Sequence, residues 1–143
     1  MKIAIGCDHA GFDLKEEIIS KYTEYEFVDC GTFSINSVDY PEFGHKVGLC
    51  VLDSNQKSCS KGIVICGSGI GISIAANKIK GIRAALCHTV EHARLSRLHN
   101  DANILALGSR LTEKKIIYEI IDSFLNTEFE GGRHQKRINK IEI

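Results

Sequence analysis

The 143-residue sequence has no excess of either charge, with 18 Lys and Arg against 18 Asp and Glu. A balanced surface gives no reason to expect a polyanion such as bulk DNA, or an acidic membrane, as a partner. No apolar run approaches the roughly 20 residues of a membrane span. The opening "MKIAIGCDHAG" is interrupted by Asp8 and His9 and lacks the longer apolar core of a secretory signal. These absences point to a cytoplasmic protein. No linker, repeat or low-complexity stretch divides residues 1–143, which read as a single domain. No C-x-x-C pair occurs among Cys7, Cys30, Cys50, Cys59, Cys66 and Cys87, so zinc-ribbon and thioredoxin-like spacings are missing. In a reducing compartment most such thiols are expected to pack as small hydrophobes. The histidines are scattered, and His88 and His92, though at helical ligand spacing, lack an H-E-x-x-H pattern. No metal is expected. Basic residues without interleaved aromatics argue against nucleic acid.

What the sequence does have is alternation. Apolar runs at Lys2–Asp8, Tyr25–Gly31, Gly62–Cys66, Ile82–Cys87 and Ala102–Gly108 predict strands. Between and after them, Phe12–Tyr22, Asp39–Asp53, Gly71–Lys80, Val90–Asn100 and Thr112–Asn126 predict helices. Pro41 suits a first turn and Thr112 an N-cap. Strands apolar on both faces and separated by helices imply a parallel sheet covered on both sides. The expected fold is α/β: a Rossmann-like three-layer sandwich with a five-stranded parallel sheet and a C-terminal arm or helix. The last stretch, "TEFEGGRHQKRINKIEI", breaks the pattern and is either a frayed tail or an arm that docks.

Ligands of open parallel sheets bind outside the carboxyl ends of the strands. That rim is expected to carry Asp8-His9 after the first strand and Cys66-Gly67-Ser68-Gly69-Ile70-Gly71 after the third. Gly108-Ser109-Arg110 follow the fifth, and His99-Asn100-Asp101, after the fourth helix, are read onto the same rim. "CGSGIG" is neither G-x-G-x-x-G nor a Walker loop. Its backbone amides enter a helix N-terminus, where they could cradle an anion; a tight turn is the plainer alternative. The same positive end favours a thiolate, so Cys66 could serve as nucleophile or as base, while packing remains the commoner role of a lone cysteine. Arg133 and Arg137, four apart, share a helical face, and with Arg110 they offer fork-shaped donors for a phosphate; alternatively the pair belongs to a solvated tail.

In order, "GCDHAGFDLK", "VDCGT…DYPEFG", "GIVICGSGIGISIAANKIKGIRAALC", "ARLSRLHNDANILALGSR" and "FEGGRHQKRINKI" resemble the motifs of type B ribose-5-phosphate isomerases over nearly the whole chain. The resemblance implies a cofactor-free, metal-free aldose–ketose isomerase. It would interconvert D-ribose 5-phosphate and D-ribulose 5-phosphate through an enediolate, in the non-oxidative branch of the pentose phosphate pathway. By that likeness Cys66 is the base, and Ser68 with the amides of Gly67, Gly69, Ile70 and Gly71 holds the enediolate. His99 and Asp8 open the furanose ring, Asn100 steadies substrate oxygens, and Tyr40 lines the pocket. His9, Arg110, Arg133 and Arg137 grip the phosphate. It also implies a homodimer or homotetramer with shared active sites, His99, Asn100 and Arg110 coming from the neighbouring subunit. One branch of the family uses a glutamate where Ile72 stands here, which places this chain in the cysteine branch. The wider family includes enzymes of galactose 6-phosphate and allose 6-phosphate, so the sugar stays open. Other readings of the residues are a thiol redox or acyl-transfer enzyme and a non-catalytic module that binds a sugar phosphate or nucleotide.

Overall fold

The computed structural model describes residues 1–53 and 59–143. The expected alternation is present: β1 (Lys2–Cys7), α1 (Phe12–Lys21), β2 (Glu26–Asp29), α2 (Tyr40–Leu52), β3 (Lys61–Cys66), α3 (Ile70–Asn77), β4 (Ala84–Leu86), α4 (Val90–Asn100), β5 (Ile104–Gly108), α5 (Lys114–Asn126) and α6 (Arg133–Ile138). All pairings are parallel, and the sheet order is β2-β1-β3-β5-β4. One core, with Leu14 and Ile18 of α1, Ala93 of α4 and Ile117, Ile120 and Phe124 of α5, covers one face of the sheet. A second, with Phe43 and Val47 of α2 and Ile72 and Ala76 of α3, covers the other. The three layers of an α/β sandwich follow, as strands buried on both faces require. No helix among the described residues is long and apolar enough to cross a membrane.

Element ends depart from the sequence expectation where side chains take over backbone bonds. The third helix stops at Asn77, not Lys80, because the Asn77 carboxamide brackets residue 84: Oδ1 accepts from Ala84 N at 2.8 Å and Nδ2 donates to Ala84 O at 2.9 Å. The fifth strand starts at Ile104, two residues late, since the Ala102 carbonyl is held by the Arg97 guanidinium at 2.6 Å. Thr112 is not the cap of α5; Glu113 stands there without a side-chain bond, and Thr112 Oγ1 lies 3.3 Å from His88 Nδ1 instead. Pro41 does occupy the first turn of α2.

The tail is the docked arm, not a frayed end. Gly131 and Gly132, at φ of 72° and 55°, reverse the chain into α6, which buries His134 and Ile138 and rests on α4. On the other side of the molecule, buried Lys15 pairs with Asp29, whose Oδ1 accepts from Gly31 N at 2.9 Å. Burial alone would lower the ammonium pKa; hydrogen bonds to Asp29 and Glu16 outweigh it and hold Lys15 above its ordinary value. The loop so anchored pairs with the end of β1, Cys7 N donating to Gly31 O at 2.7 Å, and thereby backs Asp8.

Phe124 is wholly buried at the centre of the core shared by α1, α4 and α5. Phe124→Ala is expected to destabilise the fold by about 3–5 kcal/mol, read as a lower urea midpoint with an unchanged slope.

Candidate active site

β3 delivers Cys66 to the carboxyl rim, where the chain must turn sharply into α3. Gly69 makes the turn at φ 77°, and a Cβ there would lie 2.8 Å from the Leu107 carbonyl carbon. Cys66 is 4% exposed, and its sulfur accepts the Gly69 N–H at 3.1 Å. Ser68 Oγ accepts from Ile70 N at 3.2 Å. Two amides of the expected cradle are therefore engaged internally. Those of Gly67, Ser68 and Gly71 have no acceptor among the described residues and remain for an oxyanion.

The loop after β5 is stitched to this turn. Ser109 N donates to Cys66 O at 2.9 Å and Arg110 N to Gly67 O at 3.0 Å, while Ser109 Oγ reaches Ala10 O at 2.8 Å. The approach is so close that a Cβ on Gly108 would sit 2.5 Å from the Ser68 carbonyl oxygen. The Arg110 guanidinium lies against Gly67. Ser109 ties three rim segments together, a role that its placement after a strand does not by itself signal.

These residues form an open cleft of about 660 Å³ lined by Asp8, Tyr40, Cys66, Gly67, Ser68, Ile70, Gly71 and Arg110, with Ile74 and Leu111 at its edge. Tyr40 packs on Gly71, where a Cβ would meet its ring at 2.4 Å. Asp8 is buried; its Oδ1 accepts from Ala10 N at 2.9 Å and Gly11 N at 3.3 Å, capping a short helical turn. His9, half-buried on the same rim, accepts from Val38 N through Nδ1 at 3.2 Å. Ile72, which by the resemblance stands at the glutamate position of the other branch, is fully buried in the core.

Four expected site residues, His99, Asn100, Arg133 and Arg137, lie away from this cleft, while His9 and Gly69 adjoin it without lining it. His99 and Asn100 end α4 and lead into the amino end of β5, so they occupy the opposite rim. With Gly62 level with Ile104 and Cys66 level with Gly108, the strands alone separate the two rims by roughly 13 Å. The expectation of one shared rim within a chain fails because a parallel connection returns each helix to the starting side of the sheet. Asn100 lines a different cavity, of about 600 Å³, between the α3 end, the β4 edge and residues 141–143. Arg133 and Arg137 are exposed on α6. Arg110 departs in the other direction: expected from a neighbouring subunit, it lies in the cleft of its own chain.

His99 instead stacks on His134, ring centroids 4.3 Å apart and planes at 14°. Glu130 Oε2 lies 3.9 Å from His99 Nε2 and 3.6 Å from His134 Nε2. Burial holds His134 below the usual imidazole pKa, with His99, Arg133 and Arg137 acting in the same direction and Glu130 against them. These three residues are a group whose ligand atoms fall within 4.8 Å of one another. The rings, however, are stacked with nearly parallel planes, so one ion cannot lie in the plane of both without a ring turning.

Cys7 and Cys66 end neighbouring strands, yet Cys7 is level with Ile65, one residue out of step. The pleat sends their sulfurs to opposite faces, Cys7 into the core under α1 and α5 and Cys66 into that under α2 and α3.

Comparison with known proteins shows the family and the fold. A family model described as Ribose/Galactose Isomerase matches residues 3–141. Ribose-5-phosphate isomerase B of Escherichia coli K12 is 48% identical over 142 residues, covering 98% of this chain and 93% of that protein. The structure of Clostridium thermocellum ribose-5-phosphate isomerase B superposes with a TM-score of 0.93 at 54% identity, over 99% of this chain and 95% of that one. That of Mycoplasma genitalium ribose-5-phosphate isomerase B with bound ribulose-5-phosphate does so with a TM-score of 0.90 at 41% identity, over 98% and 93%. The apolar strand ending in Cys66, the glycine turn and the family match together place the chain in the Ribose/Galactose Isomerase family.

Proposed function

We propose that this chain interconverts ribose 5-phosphate and ribulose 5-phosphate, with Cys66 as the proton-transferring base. The observation that carries this reading is that Cys66, whose sulfur accepts the Gly69 N–H, lines one cleft with Gly67, Ser68 and Gly71, residues whose own amides are unengaged. The names of the relatives, and the ribulose-5-phosphate bound in one of them, support the choice of sugar.

In the open-chain aldose, Cys66 thiolate removes the proton from C2. The electron pair moves to O1, and the resulting enediolate is held by the amides and by the Ser68 hydroxyl. A proton passes between O2 and O1, and Cys66 returns its proton to C1 to give the ketose. The amides supply the positive environment, so the step calls for no metal. Among the described residues no histidine lines this cleft, which favours proton abstraction over a Cys–His nucleophile.

Ring opening needs an acid and a base at the other end of the sugar, and the phosphate needs cations. Asp8, His9 and Arg110 are at hand; His99, Asn100, Arg133 and Arg137 would come from a second copy whose amino rim faces this cleft. Exposed Ile70, Ile74 and Leu111, 50%, 54% and 64% accessible around the cleft mouth, suit coverage by that copy. The catalytic unit is thus a homo-oligomer acting on a sugar phosphate, without a resident cofactor.

Cys66→Ala is expected to lower kcat by about 10³-fold or more while leaving sugar-phosphate affinity within a few-fold; turnover at the wild-type rate would remove the thiol from the chemistry. Arg137→Ala is expected to raise KM with little change in kcat, measured by steady-state kinetics. The shared site makes its own prediction. Cys66→Ala and His99→Ala chains, each inactive alone, should recover about a quarter of wild-type activity when unfolded and refolded together in equal amounts, because half of the pairs are hybrids with one intact site. No recovery would place His99 and Cys66 in the same site of one chain or in none.

A further inference from the structure

α6 is a short, mostly exposed helix, yet one of its side chains is placed with unusual care. His134 is 4% exposed and lies face to face with His99 of α4. Its Nε2 is buried without a hydrogen-bond partner among the described residues, and it looks toward the Glu130 carboxylate. Glu130 also faces Nε2 of His99, and its own backbone N–H donates to Leu98 O at 3.1 Å, clamping the arm to the residue before His99. An unpaired buried nitrogen is costly, and an apolar ring would fill the same space without that penalty. His99 thus has a flat buried surface beneath it, a carboxylate beside one nitrogen and a backbone clamp at its base.

We propose that His134 and Glu130 are positioning residues for ring opening: they hold the His99 imidazole in one plane, with Nε2 toward a carboxylate, so that Nδ1 is left for the sugar bound by the second copy. This rests on the assignment of His99 to ring opening made above. A half-exposed imidazole free to rotate would lose rotamer freedom each time it met the sugar and would often meet it misaligned. A carboxylate at one ring nitrogen favours the proton there and leaves the other nitrogen as the lone-pair donor. The arm that carries Arg133 and Arg137 to the phosphate therefore also aligns the imidazole that opens the ring, so both groups arrive in the second copy's cleft as one rigid piece.

Ring opening can be separated from proton transfer by choice of substrate. Ribulose 5-phosphate has its C5 oxygen esterified and forms no ring. Exchange of its C1 proton with deuterated water therefore needs the base and cradle alone. Full-length His134→Ala and Glu130→Gln are assayed for turnover of ribose 5-phosphate and, by proton NMR, for that exchange. The expected result is a fall in kcat for ribose 5-phosphate of about tenfold or more, with the exchange rate within about twofold of wild type. An equal fall in both reactions would mean structural damage only and would overturn the proposal, as would no fall in either. His99→Ala is run alongside. If it also fails to separate the two reactions, the ring-opening assignment of His99 is itself wrong. If it separates them and the other two variants do not, only the positioning role is lost.

Discussion

The backbone contact between the β3 and β5 loops is the constraint on which the cleft depends. Placing β5 between β3 and β4 brings Gly108 against the Ser68 carbonyl with no room for a Cβ. From that contact follow the bonds of Ser109 and Arg110 to Cys66 and Gly67. Because the Cys66 and Gly67 carbonyls are taken by the β5 loop and left-handed Gly69 is locked by packing, the turn that carries the unengaged amides is set before any ligand arrives. Electrostatic stabilisation of a developing charge is most effective when donors need no reorganisation. Here the fold has already fixed them by crossing two loops of the sheet.

The same parallel topology explains why one chain holds an incomplete set of groups. Each strand ends at the carboxyl rim and each helix returns to the amino rim, so chemistry placed at helix C-termini faces away from chemistry placed at strand C-termini. Asp8, Cys66, Ser68 and Arg110 follow strands and converge; His99 and Asn100 follow a helix and diverge from them. In the proposed assembly, the amino rim of one copy would meet the carboxyl rim of another and reunite the two halves, and self-complementary pairing of this kind would repeat the arrangement on both sides.

Much of the fold was legible because the strands are apolar on both faces and the glycine turn is contiguous in sequence. Cys66, Ser68 and the cradle needed only local reading. The ends were less legible: Asn77 terminates α3 by bonding a residue seven positions on, and Ala102 is drawn out of β5 by Arg97, neither of which a periodicity reveals. Placing His99 on the strand-end rim failed for a topological reason, since a linear reading treats the end of a helix and the end of a strand alike. The stack of His134 on His99 and the bridge of Glu130 are contacts between separate elements, and the polar, basic sequence of α6 resembles a solvated tail until the buried face is seen.

The pleat that separates Cys7 from Cys66 also bears on how this protein meets oxidants. Cys7 and Cys87 lie beyond the sheet; Cys50 and Cys59 face each other at 3.2 Å; Cys30 turns to the Val28 carbonyl at 3.7 Å. None of these sulfurs contacts that of Cys66. A sulfenic acid formed on Cys66 would therefore depend on a thiol from outside the chain for its rescue, and without one would pass to the sulfinic and sulfonic acids.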